Sequence, residues 1–127
     1  MANEITTVDT LIITKDGVTI NGSVTKQETL AGSGKFTNVQ NIGTTTEQIV
    51  FPADLVTEGI THIWLKNMDT TNYVQVGLNT PVTQIFARLK PGQTLHIPTD
   101  NAPTVDPGIY MKANTAACNV MIVASGT

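Results

Sequence analysis

The chain has 127 residues, enough for one domain that buries roughly two-thirds of its unfolded surface without help from a disulfide or a metal. Only 13% of the residues are charged, about half the usual share, while Thr, Asn and Gln abound, which favours pleated strands over long helices. The net charge of −3, with seven scattered Lys and Arg, excludes the basic footprint of a nucleic-acid binder, and no apolar run reaches the length of about 18 residues that a membrane span needs.

Met1–Thr7 lacks the basic and apolar regions of a secretory signal, so the chain is expected to fold in the cytoplasm where it is made. The single Cys118 fits that compartment. Thr10–Thr14 and Val18–Ile20 flank Lys15-Asp16-Gly17, and an Asp-Gly pair between β-branched runs predicts a hairpin. A polar run over Asn21–Leu30 leads into Ala31-Gly32-Ser33-Gly34, which reads as a linker. Residues 1–34 are therefore expected to form an N-terminal arm or hairpin with its linker, and residues 35–127 the body. A lone two-stranded hairpin is marginal in water, so an ordered arm must dock on the body or on another subunit.

Within the body, Lys35–Ile42 and Thr45–Phe51 read as strands, and Pro52–Gly59 as one short helical turn. Thr61–Asn67 and Asn72–Val76 alternate in character on either side of a polar Met68–Thr71 segment, the pattern of an antiparallel hairpin. Setting Asn67 opposite Asn72 pairs Leu65 with Val74 and Ile63 with Val76 on one apolar face. His62, Trp64 and Lys66 then share the other face with Tyr73 and Gln75. In Gln84–Leu89 the residues Ile85, Ala87 and Leu89 face one way, Phe86 and Arg88 the other. Lys90-Pro91-Gly92-Gln93 carries the type II turn signature, which matches strand twist poorly, so the chain is expected to change sheets there. Thr94–Ile97 is a strand, Pro98–Gly108 an irregular loop, and Gly108–Ala113 and Ala117–Ala124 are the last strands. The final one is apolar nearly throughout and is expected to lie centrally, covered on both faces. Roughly eight to ten short strands with turns every 8–12 residues or so give an all-β, two-sheet antiparallel sandwich, jelly-roll-like, with an N-terminal hairpin or arm.

Catalytic motifs are not found. Gly32-Ser33-Gly34-Lys35-Phe36 imitates the end of a phosphate loop, but Thr29 replaces its first glycine and Phe36 stands where the metal-binding hydroxyl belongs. His62 and His96 lack a His-x-His or Glu-x-x-His spacing, so they read as ordinary hydrogen-bonded histidines. Cys118 lies in an apolar strand and reads as core packing. Neither an enzyme nor a bound metal or cofactor is expected. Trp64, Tyr73 and Phe86 read either as part of a second packed face between sheets or as interface anchors, because Trp and Tyr dominate binding hot spots, and Leu11, Ile12 and Ile13 are interface candidates on the arm.

The segment Trp64-Leu-Lys-Asn-Met-Asp-Thr-Thr-Asn-Tyr-Val-Gln-Val-Gly77, the Phe86-Ala-Arg-Leu-Lys-Pro-Gly92 turn and the Leu95–Pro98 strand resemble small virion proteins of tailed bacteriophages. With the final strand the resemblance covers Thr61–Ser125, and it points to capsid decoration (cement) proteins and other head or tail accessory proteins. It implies a jelly-roll homotrimer, made in the host cytoplasm and seated on the virion. Its partners would be its own copies and the major capsid protein, with no nucleic acid and no membrane. An alternative is a tail or fibre-tip module binding a host-surface glycan on a platform of Trp64 and Tyr73.

Overall fold

The computed structural model describes residues 5–28, 35–78, 85–99 and 106–126. The chain divides into two compact units, Met1–Ala31 and Gly32–Thr127. The Ala31–Gly34 linker reading lies outside the described residues, as do positions 100–105 of the Pro98–Gly108 loop.

The first unit is a hairpin of β1 (Ile5–Lys15) and β2 (Val18–Glu28), in register from Lys15–Val18 to Ile5–Glu28. Asp16 and Gly17 both take positive φ, 52° and 79°, the primed turn whose twist suits a two-residue connection. The strands run well past the Thr10–Thr14 and Val18–Ile20 stretches. The residues beyond them, mostly polar, pair across the ladder, and Ser23 Oγ lies 3.2 Å from Thr10 Oγ1 on the facing strand.

The second unit is an all-β sandwich of two four-stranded antiparallel sheets. One holds, in spatial order, β3 (Lys35–Ile42), β10 (Cys118–Gly126), β5 (Ile60–Asn67) and β8 (Thr94–Pro98). The other holds β4 (Glu47–Gln48), β9 (Tyr110–Ala113), β6 (Val74–Gly77) and β7 (Ile85–Leu89). Every connection in this unit except β6 to β7 changes sheets. The short helix α1 (Ala53–Glu58) follows Pro52 and stops at Gly59, whose φ of 95° lets its N–H turn back to Leu55 and Val56.

Period-two alternation builds one core between the sheets. Ile42, Ile63, Leu65, Val120 and Ile122 meet Val74, Val76, Met111, Ala113 and Leu89, all buried. The Lys90–Gln93 turn behaves as its sequence requires. Gln93 N–H donates to Lys90 O at 3.0 Å, Gly92 has φ 76°, and the chain passes from β7 in one sheet to β8 in the other.

Two expectations are corrected. Thr61–Gly77 is not a hairpin: β5 pairs with β10 and β8, while β6 pairs with β9 and β7. Leu65 lies beside Ile122 and Leu95, and Val74 beside Leu89 and Ala113. Alternation fixes which side chains point to the core, and they do converge there, but from opposite sheets; the pattern carries no information on the partner strand. The second correction concerns β10. It is central, between β3 and β5, but only its inner face is covered, and Asn119 and Val123 are exposed on the other. The outer row, Asn119, Met121, Val123 and Ser125, is half polar, and its polar positions mark a face left to solvent.

Candidate functional site

The crossing between β5 and β6 is built by Asn67, whose side chain is fully buried. Its Nδ2 donates to Asn72 O at 2.8 Å and Leu89 O at 2.9 Å, and its Oδ1 accepts Asp69 N–H at 2.9 Å. Asp69 in turn accepts the N–H groups of Asn72 and Thr71, and these hold its carboxyl below the ordinary value of 3.8. Because the folded pKa is lowered, the stabilisation is complete above that ordinary value and is lost as pH falls below it through the folded one. The stability gap between the native chain and Asp69→Asn should therefore shrink as denaturation is repeated from about pH 5 down to about pH 2. A gap independent of pH would refute the assignment.

This frame fixes which residues face outward. On the outer face of the β3-β10-β5-β8 sheet the register sets Thr37, Val123, Trp64 and His96 side by side in one row. Val39, Met121, Lys66 and Thr94 form the next. Val39 is 50% exposed and Val123 40%, so with half-buried Trp64 and Met121 they make an apolar strip across a solvent-facing sheet. His62 and His96 meet at one end of it, Nδ1 to Nε2 at 2.9 Å, one ring nitrogen donating and the other accepting. The rings lie 15° from parallel with centroids 5.2 Å apart, about what two imidazoles joined end to end by such a bond give.

The opposite outer face carries Tyr73, with the Arg88 guanidinium 4.5 Å from its ring centroid. At the other end of the β6–β7 ladder, a register shift between Val76 and Gly77 leaves Phe86 and Ile85 exposed on β7, the edge strand of that sheet. Trp64 and Tyr73 thus lie on opposite sides of the sandwich. A shared platform of these two aromatics is not formed, and Tyr73 has Arg88 against its ring instead. The third group of candidates is split as well: Leu11 and Ile13 share one face of the hairpin and Ile12 lies on the other.

Cys118 is buried, faces the core and rests its thiol on Ala116 O at 3.7 Å, and burial pushes its pKa up. The two histidines lie on the outer side of the same sheet, so no thiol–imidazole pair forms. Among the described residues no cluster of three or more His, Cys, Asp or Glu is placed to hold a metal ion, and no helix is long and apolar enough to cross a membrane.

Sequence reasoning missed Asn67, the outward strip of Val39 and Val123, and the meeting of the two histidines. The first was a polar residue in a strand; the others depend on strand neighbours distant in sequence. Comparison with protein-family models, curated proteins and solved structures finds no match to this chain.

Proposed function

We propose that this chain is a non-enzymatic structural protein of a tailed-phage virion. Specifically, it is a capsid decoration protein that bridges neighbouring capsid subunits as a homotrimer. The reading takes the eight-strand body, with its sheet-changing connections, as a jelly roll. The observation that carries it is the distribution of apolar surface. Both outer faces of a sandwich with few ionisable groups hold exposed apolar side chains, Val39 and Val123 beside Trp64 on one, Phe86 and Ile85 on the other. Such faces suit packing against neighbouring proteins better than a solitary existence in water. Many copies on a shell would each contribute modest interface energy, and avidity would hold the layer against the pressure of packaged DNA.

The glycan-binding alternative is the weaker of the two readings, since its two aromatics lie on opposite outer faces of the sandwich. The deciding experiment mixes the purified protein with expanded empty capsids and, separately, with host cells and a glycan array. Co-sedimentation with capsids and no glycan retention is the expected result. Retention on glycans with no capsid binding would replace the proposal with the alternative.

A further inference from the structure

We infer that one face of the N-terminal hairpin, centred on Leu11 and Gly22, is a self-association surface whose occupant is the same face of another copy of this chain. The inference rests on the homo-oligomer part of the reading above and is independent of any capsid.

Register divides the hairpin into two unlike faces. One presents the pairs Asp9–Val24, Leu11–Gly22, Ile13–Ile20 and Lys15–Val18. The other presents Val8–Thr25, Thr10–Ser23, Ile12–Asn21 and Thr14–Thr19 and is mostly hydroxyl and amide. On the first face, Leu11, Ile13, Val18, Ile20 and Val24 are each 52% to 66% exposed, a contiguous apolar patch with charged residues only toward its ends. Five aliphatic side chains exposed to this degree leave roughly 500 Å² of apolar surface, near the top of the range for the largest patch on an ordinary monomer. Covered by an equal patch, they bury about 1,000 Å², the area at which a specific interface begins.

Gly22 identifies the occupant. It sits in the interior of β2, where glycine weakens a strand, and a Cβ built there meets nothing within 4 Å; its φ is not in the left-handed region. Neither backbone conformation nor crowding within the chain accounts for it. What the missing side chain creates is a notch beside Leu11, directly across the ladder, in the middle of the apolar face. A knob and a notch at the same level on the two strands are self-complementary. Any rotation axis running along the hairpin carries β1 of one copy against β2 of the next without changing level. Leu11 then enters the notch at Gly22 of the neighbour, and Ile13 meets Ile20. A two-fold axis lays the whole face on one neighbour, while a three-fold axis divides it between two, β1 against one and β2 against the other.

The test is the native mass of the full chain by light scattering, at about 10 to 100 μM, for the wild type and three variants. Ile13→Asp puts a charge at the centre of the proposed contact, and dissociation at least 100-fold easier is expected. Ile12→Asp makes the same change on the opposite face and should leave the mass unaltered. Gly22→Thr fills the notch with a residue that favours strands, so it should strengthen the hairpin itself while weakening association. That opposite pair of effects separates a lost contact from a lost fold. A monomeric wild type, an unchanged mass for Ile13→Asp or Gly22→Thr, or equal dissociation by Ile12→Asp would overturn the inference. Capsid co-sedimentation of the wild type is read separately, so its failure would remove the virion reading and leave this one standing.

Discussion

Replacing Leu65 by alanine is expected to destabilise the sandwich by about 3 kcal/mol, a large share of what a domain of this size possesses. Leu65 is fully buried on the inner face of β5, beside Ile122 on one neighbouring strand and Leu95 on the other. Removing its branched end loses the transfer energy of three carbons and opens a cavity that two pleated sheets are poorly able to close. Urea denaturation should show a lower midpoint with an unchanged slope. The companion measurement is Val123→Ala on the outer face of β10, which should change stability by no more than about 0.5 kcal/mol. Equal effects at both sites would mean that the facing of this sheet is wrong. Leu65→Ala and Ile122→Ala should also be non-additive, since the two side chains are cross-strand partners.

A comparable loss, about 2 to 4 kcal/mol, is expected for Asn67→Ala. The amide is buried and makes three hydrogen bonds that tie the end of β5 to the crossing loop and to Leu89 O at the end of β7. Alanine would remove one hydrogen bond from each of Asn72 O, Leu89 O and Asp69 N–H, the one to Leu89 O being buried from water. Asn67→Asp should be worse than alanine, because a carboxylate oxygen would replace the Nδ2 donor and face two carbonyl oxygens. Thermal unfolding of the two variants checks the order. If the aspartate variant is the more stable, the amide does not act as the donor described.

How far the sequence could be read turns on these same residues. The Asp16-Gly17 and Pro91-Gly92 turns were legible because each demands a backbone conformation that few residues adopt, and the structure gives both. The all-β class and the inward set of Ile63, Leu65, Val74 and Val76 were legible from alternation. Strand partnership was not. Leu65 and Val74 point to one core whether they lie in one sheet or in two, and the pairing of β5 with β10 and β8 and of β6 with β9 and β7 decides between the cases. Alternation sets Asn67 on the inward face with Ile63 and Leu65 but does not show that Asn72 O, Leu89 O and Asp69 N–H will be its partners. The candidate surfaces suffered for the same reason. Trp64 and Tyr73 fall on one face if β5 and β6 form a hairpin and on opposite faces when the chain crosses between sheets. Leu11 and Ile13 were separable from Ile12 by the period of two alone, but the notch at Gly22 needed the register that sets it opposite Leu11.

The central claim is that this chain exists to be packed among its own copies. Sedimentation equilibrium of the untagged full chain tests it most directly. The account predicts an assembly, a homotrimer of 13.5 kDa chains, that persists at micromolar concentration and dissociates on Ile13→Asp. A wild-type chain that sediments as a solitary 13.5 kDa monomer across the same range would contradict it.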